Sequence, residues 1–309
     1  MARAYGFVEY GGPETQQLLD VDVPVPGPGQ LLVAVRAAGV NPADWKVRSG
    51  TRRNSIAVHF PAVLGREVAG VVQAAGGNTV ADFAVGDAVF GATATGFGGY
   101  AEYTLVDAAA AAHKPEAVSY EVAATLPVAA GTALDIAEHL GIVDADTVLV
   151  LGAGGGVGSA LTQLAHAAGA AVLGVASAGK RDAVESCGGV WIESGPGFDM
   201  RVAAATERCG AVTAIVDLVG GEVLERAVAL TRAPERVVSV ADPARAEALG
   251  GSGITRRRTR EVFDRIASLV VRGILDPRVE RAFPLSDAGS ALALVESGHA
   301  GGKVVVTVP

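Results

Sequence analysis

Between Thr147 and Ala168 the chain runs from Thr147-Val-Leu-Val-Leu151 through Gly152-Ala-Gly-Gly-Gly-Val-Gly158 into a stretch whose apolar residues recur at helical spacing. Val157, Ala160, Leu161, Leu164, Ala165 and Ala168 fall at i, i+3, i+4, i+7, i+8 and i+11, one stripe of a helix that begins where the glycines end. A strand that turns straight into a helix can bury both elements only by laying the helix back on a sheet, which is the start of a βαβ unit. The segment from Asp146 to Lys180 has no formal charge between its ends and resembles a membrane span by hydropathy. Gly152, Gly154, Gly155, Gly156 and Gly158 would break such a span near its middle, so it reads as buried strand, loop and helix.

The alternation continues downstream. Thr147 to Leu151, Ala171 to Val175, Val190 to Ile192, Ala214 to Asp217 and Arg236 to Val240 are short apolar runs separated by helical patterns. Strands alternating with helices imply a parallel, doubly wound α/β sheet. The first hundred residues differ: short runs such as Gln30 to Val35, Val68 to Gln73 and Ala88 to Phe90 are punctuated by Pro24, Pro26, Pro28, Gly76-Gly77-Asn78 and Gly98-Gly99, the pattern of a β-rich domain. With 309 residues the chain exceeds what one core usually holds, so two domains are expected. Past Thr255 an amphipathic helix carries Val262, Phe263, Ile266, Leu269 and Val270 on one face and is expected to end at Asp276-Pro277. A helical run from Ala288 to Glu296 and a strand from Lys303 to Val308 follow. These pieces do not extend the βαβ series and are expected to return to the first domain, which gives 1–125, 126–256 and 257–309 as the divisions.

Charge and composition narrow the function classes. A net charge of −8 repels phosphate backbones and argues against a nucleic-acid partner. The cluster Arg256, Arg257, Arg258 and Arg260 reads as a solvated loop or helix start, with a place near a phosphate as the other reading. Cys187 and Cys209 are too few for a disulfide framework or a Cys-rich zinc site, which fits a reducing, cytoplasmic setting. The N-terminus lacks the apolar core of a signal peptide, and no membrane partner is expected. His59, His113, His139, His166 and His299 form no metal-binding spacing.

A dinucleotide's pyrophosphate needs backbone N–H groups aimed at it and a helix N-terminus beneath it, and side chains would obstruct that approach. Ala153-x-Gly155-x-x-Gly158, with Ala in place of the usual first Gly, meets this need in its strand-to-helix context. The other reading is a tight turn and no more. Ala153, Gly155, Gly156, Val157 and Gly158 are therefore candidate cofactor-binding residues. An NAD site wants an acid about 20 residues past the glycines, for the ribose 2′-OH. Val175-Ala-Ser-Ala-Gly-Lys-Arg181 holds none, whereas Ser177, Lys180 and Arg181 offer a hydroxyl and two cations to a 2′-phosphate. NADPH is the expected cofactor, with an exposed helix start as the alternative reading of Lys180 and Arg181. Val219 and Gly220 after the fourth strand, and Val240 after the fifth, should approach the nicotinamide, because ligands bind outside the carboxyl ends of parallel strands.

Beyond the glycine loop, the segments Tyr10-Gly-Gly-Pro-Glu14, Gly39-Val-Asn-Pro-Ala-Asp-Trp-Lys-Val-Arg-Ser-Gly50, Val63-Leu-Gly-Arg-Glu-Val-Ala-Gly70, Val85-Gly-Asp-Ala-Val-Phe90, Gly98-Gly-Tyr-Ala-Glu-Tyr103 and Ser297-Gly-His-Ala-Gly-Gly-Lys303 occur in order along nearly the whole chain. In these the chain resembles the medium-chain dehydrogenase/reductases, in their zinc-independent, zeta-crystallin-like quinone oxidoreductase branch. The resemblance implies a Rossmann doubly wound parallel sheet plus a GroES-like β-rich catalytic domain built from both chain ends, and a homodimer. It also implies hydride transfer from NADPH to a small-molecule quinone or α,β-unsaturated carbonyl in a cleft between the domains. Asn41, Asp44 and Lys46 would be catalytic: Lys46 polarising the carbonyl oxygen, Asn41 orienting the substrate or the nicotinamide ribose, Asp44 positioning Lys46 or that ribose. The alternative is a short helix in which Asp44 favours the N-terminal dipole and Lys46 sits in water; some relatives have Tyr where Lys46 stands. Thr132 matches a position facing the nicotinamide in relatives, and helix capping is its other reading. The zinc-dependent branch has Cys and His where Asn41 and Arg66 stand, and an amide and a guanidinium cannot replace them, so no metal is expected. Two other functions fit the same motifs: a stand-alone enoyl reductase of a polyketide-type pathway, and a non-catalytic NADPH-binding redox sensor. The stretch from Ala241 to Arg260 looks shorter than in typical relatives, where that region shapes the cleft or the dimer edge.

Overall fold

The computed structural model describes residues 1–77 and 82–309, so Asn78 of the turn expected at Gly76-Gly77-Asn78 lies outside the described residues. They form two compact units, Met1–Val128 with Arg258–Val271 and Arg278–Pro309, and Ala129–Arg257 with Arg272–Pro277.

The first unit opens with β1 (Ala2–Phe7), β2 (Gln16–Val21) and β3 (Gln30–Val40), then helix α1 (Pro42–Arg48). It continues with β4 (Ala62–Val63), β5 (Glu67–Ala75), β6 (Ala88–Thr93), β7 (Tyr103–His113) and α2 (Tyr120–Ala123). β3 pairs antiparallel with β5, β5 with β6, β6 with β7, and the start of β3 with β7, so these strands close on themselves. Leu31, Val33 and Val35 of β3 point inward at every second position and are fully buried, the alternation a pleated strand imposes when one face is covered.

The second unit begins with α3 (Gly131–Leu140), β8 (Thr147–Leu151), α4 (Gly156–Ala167), β9 (Ala171–Ala176), α5 (Arg181–Ser186) and β10 (Val190–Glu193). It continues with α6 (Phe198–Cys209), β11 (Ala214–Asp217), α7 (Glu222–Val228), β12 (Val237–Ser239) and α8 (Pro243–Ala248). Its sheet has the order β10-β9-β8-β11-β12, and every adjacent pair is parallel. β8 is buried along its whole length, which is why it reads as an unbroken apolar run and not as an alternating one. The chain leaves β8 toward β9 on one side and returns to β11 on the other, so the order reverses at the carboxyl end of β8. That is where open α/β sheets bind ligands.

The tail runs through α9 (Arg260–Val271), β13 (Val279–Pro284), α10 (Ala288–Glu296) and β14 (Lys303–Thr307). α9 buries Val262, Phe263, Ile266 and Ala267, with Phe263 against Phe90 at 5.9 Å between ring centres. β14 pairs antiparallel with the end of β3, placing Val304 opposite Val40, and β13 runs parallel to β14. The helix ends at Val271, before Asp276-Pro277. Asp276 instead exchanges two hydrogen bonds with Gln163 of α4, its N–H donating to Oε1 at 2.7 Å and its carbonyl accepting from Nε2 at 2.9 Å.

Candidate functional site

The second unit carries a loop shaped by its glycines. The N–H groups of Gly152 and Ala153 both donate to the Val175 carbonyl, at 2.9 and 3.1 Å, which fastens the exit of β8 to β9. Gly152 has φ +85°, where a side chain is disfavoured. A Cβ at Gly158 would overlap the Gly152 carbonyl oxygen and lie 2.6 Å from Ala153 Cα, so only glycine lets α4 approach the loop this closely. Gly155 stands at the N-cap position of α4 and has no side chain to satisfy the first-turn donors, so the helix start is uncapped. By helix geometry the N–H groups of Gly156, Val157 and Gly158 have no carbonyl one turn back. Gly155 is exposed and Gly156 and Val157 half-exposed, so the positive end of a 12-residue helix is open to an anion. The loop therefore fits a dinucleotide pyrophosphate.

Ser177, exposed, follows β9 and starts the single 3-10 turn Ala178–Lys180. Lys180 lays its stem across the glycine loop: a Cβ at Gly154 would stand 2.7 Å from Lys180 Cβ and 2.8 Å from its Cγ. Arg181, the next residue, begins α5 and turns elsewhere, its Nε donating to Glu185 Oε1 at 2.9 Å and its guanidinium lying over Trp191 at 5.3 Å. The two cations that adjoin in sequence thus diverge. On the other side of β8, Val219 is 55% exposed and its Cγ2 is 3.3 Å from where a Cβ of Gly152 would be. Val240, half-buried, donates its N–H to the Asp217 carbonyl at 2.9 Å. Thr132 is buried within α3.

In the first unit β3 delivers Asn41 to the start of α1. The Asn41 N–H donates to Asp44 Oδ2 at 2.9 Å, half of a capping box. The Asn41 side chain is engaged at both ends: Nδ2 donates to Glu67 Oε1 at 2.8 Å and Oδ1 accepts from Lys303 Nζ at 2.8 Å. Lys303 Nζ also donates to Glu67 Oε1 at 3.0 Å, while Glu67 Oε2 accepts from the Val128 N–H at 2.7 Å. Asn41, Glu67 and Lys303 are all buried. A Cβ at Gly39 would overlap Glu67 Oε1, so the glycine makes the room for that carboxylate.

Asp44 is buried beside this cluster and accepts from Tyr100 Oη at 2.9 Å. Burial pushes the Asp44 carboxyl up from 3.8 to about 6, against the Asn41 and Tyr100 hydrogen bonds and the Arg66 charge and with the help of Glu67. Burial first, and then Asp44, hold the Tyr100 phenol well above its usual 10. Lys46 is half-buried, its ammonium 5.6 Å from the centre of the Trp45 ring. The structure thus brings Asn41 and Asp44 together, and places Lys46 over Trp45. Glu67, Tyr100 and Lys303 escaped the reading of roles from sequence. The available signal was a charge set into or heading an apolar run, as in Glu67-Val-Ala-Gly-Val-Val72 and Lys303-Val-Val-Val306. The same unit has an open, mainly apolar depression of about 340 Å³ lined by Val58, His59, Val63, Thr95 and Phe97 among others.

Residues 27–116 match the family described as alcohol dehydrogenase GroES-like domain, and residues 197–306 the one described as zinc-binding dehydrogenase. A quinone oxidoreductase of Lama guanicoe is 31% identical over 325 residues, which covers 99% of this chain and 97% of that protein. One of Pongo abelii is 42% identical over 179 residues, covering 57% of this chain and 53% of the relative, so the chain spans about half the length of that protein. A mycobacterial protein solved with NADPH superposes with a TM-score of 0.86 at 30% identity, over 99% of this chain and 100% of its own.

The second of the two family descriptions names zinc. Among the described residues no three His, Cys, Asp or Glu side chains gather as a metal group. The Asn41 amide oxygen already accepts from an ammonium, and the Arg66 guanidinium donates to the Gly96 carbonyl at 3.3 Å. A zinc ion needs thiolate, imidazole or carboxylate donors, and these two residues do not fit it. Among the described residues no helix is long and apolar enough to cross a membrane.

Proposed function

The chain belongs to the quinone oxidoreductase-like medium-chain dehydrogenase/reductases, and from that premise we propose that it is an NADPH-dependent, zinc-independent oxidoreductase acting on a quinone or an α,β-unsaturated carbonyl. The observation that carries this reading is the uncapped, solvent-open N-terminus of α4 with the Lys180 stem laid across its loop. NADPH bound there supplies a hydride. The amides of Gly156, Val157 and Gly158 hold the pyrophosphate, and Ser177 and Lys180, at the exit of β9, take the 2′-phosphate. The Lys180 stem crosses the glycine loop while Arg181 is turned toward Glu185 and Trp191, so the larger share falls to Lys180 by position. Relatives named quinone oxidoreductase and a neighbour solved with NADPH support the same choice.

Reduction of a quinone or enone builds negative charge on the acceptor oxygen, which a preorganised donor or cation must stabilise when no metal does. Asn41 and Asp44 have their polar atoms engaged within the first unit. The donor role therefore goes to Lys46, with Asn41 and Asp44 holding the helix that carries it. The test follows NADPH and NADH consumption with a panel of quinones and enones. Turnover with NADPH should exceed that with NADH. Lys180→Ala should weaken NADPH at least about tenfold while leaving NADH nearly unchanged, and Arg181→Ala should cost less. Equal losses for both cofactors would refute the 2′-phosphate assignment. An unchanged rate in Lys46→Ala at saturating acceptor would remove Lys46 from the chemistry. Tight NADPH binding with no turnover of any acceptor would favour the sensor.

A further inference from the structure

We propose that Asp217 is the positioning residue for the nicotinamide half of the cofactor site, an inference that rests on the NADPH reading of the same loop. Asp217 closes the apolar run Ala214-Ile-Val-Asp217 and is fully buried at the carboxyl end of β11. A carboxylate there must be met by converging donors. Its Oδ1 accepts from the N–H groups of Val219 at 3.0 Å and Gly220 at 2.8 Å, an Asx-type turn that fixes the loop leaving β11. Its Oδ2 accepts from Ser239 Oγ at 2.6 Å, and that hydroxyl in turn accepts from the Asp242 N–H at 2.8 Å, which fixes the loop leaving β12. One side chain thus sets two strand exits at once.

Those exits are the ones that matter for the second half of a dinucleotide. Lys180 and Ser177 lie on the β9 side of β8 and take the adenosine end, so the remainder of the molecule crosses the switch point toward β11 and β12. There Val219 packs on Gly152 of the glycine loop, and Gly220, at φ +84°, would bring a Cβ within 3.2 Å of Asp242 Cβ. The three loops touch in series, and Asp217 holds two of them. Val219 is more than half exposed on this edge, an aliphatic surface suited to the face of a nicotinamide ring.

The test compares NADPH with 2′-phospho-ADP-ribose, which lacks only the nicotinamide, by fluorescence or calorimetric titration of the full chain. Wild type should bind NADPH more tightly than the fragment. Asp217→Asn exchanges one accepting oxygen for a donor, so either Ser239 or the Val219 and Gly220 N–H groups lose their acceptor, and Ser239→Ala cuts the link between the loops but spares the carboxylate. Both should lower NADPH affinity roughly tenfold, leave the fragment unchanged, and raise the primary isotope effect from deuterated NADPH on turnover. A purely structural residue would weaken both ligands by the same factor, and that result, or no loss with either, overturns the proposal. If Asp217→Asn does not fold, Ser239→Ala alone decides it. Wild type binding neither ligand would instead defeat the NADPH reading.

Discussion

Replacing Lys303 by Met removes a buried ammonium and keeps most of the side chain's volume. In the wild type that ammonium donates to Asn41 Oδ1 at 2.8 Å, Glu67 Oε1 at 3.0 Å and the Val40 carbonyl at 3.3 Å. The Lys303 and Glu67 side chains are 5% and 0% exposed, so neither charge has water to fall back on. Without Lys303 the Glu67 carboxylate retains two neutral donors, Asn41 Nδ2 and the Val128 N–H, and no ion-pair partner among the described residues. Breaking a buried pair from one side costs about 3–5 kcal/mol. That is a large share of the roughly 5–15 kcal/mol that keeps a domain folded. At about 2–4 °C per kcal/mol for a domain of this size, the first unit should melt roughly 6–20 °C lower. Lys303→Met/Glu67→Gln removes both charges and strands neither, so it should recover at least about 1 kcal/mol over the single variant. Thermal and urea unfolding followed by near-UV circular dichroism read both effects. A single variant melting within about 2 °C of wild type, or a double variant as unstable as the two singles summed, would refute the argument that β14 contributes charge as well as packing.

Two further perturbations follow from the same geometry. Because burial lifts the Asp44 carboxyl from 3.8 to about 6, folded protein holds a proton there after the unfolded chain has released it. The group's stabilising contribution is complete below pH 3.8 and is lost as pH rises through 6, by about 3 kcal/mol at ~1.4 kcal/mol per unit. Asp44→Asn should therefore gain stability relative to wild type between about pH 4 and pH 7.5 in urea titrations; two parallel curves would defeat the assignment. In Gly158→Ala the new Cβ overlaps the Gly152 carbonyl, forcing α4 off its loop at about 1–3 kcal/mol of stability and a loss of NADPH affinity of tenfold or more. Full-affinity binding by the folded variant would show that the close approach is dispensable.

What was legible in the sequence, and what was not, follows from how far apart the interacting residues lie. The parallel sheet was readable because β8 is covered on both faces and its turn to α4 demands glycine, and both demands are local. The closed sheet of the first unit was readable only as strands and turns, since its closure depends on β3 meeting β7 and β14 from distant parts of the chain. The buried cluster was hidden for the same reason: Lys303 and Glu67 are 236 positions apart, and a charge inside an apolar run says that a partner is required without saying which. Asn41, expected from the resemblance to orient the substrate or the nicotinamide ribose, is held by such partners, Glu67 and Lys303. Lys180 and Arg181 are equivalent as adjacent cations, and only the step from a 3-10 turn into α5 sends one to the glycine loop and the other to Trp191. Asp217 belongs to the same class, a buried acid whose donors come from its own turn and from the exit of the next strand. In each case the polar residue that holds the proposed site in shape is buried, and the group proposed to meet the ligand is backbone or half-exposed. Substitutions at the buried set should therefore register first in stability or in the nicotinamide contribution to binding, and those at Lys180 and Lys46 in cofactor choice and rate.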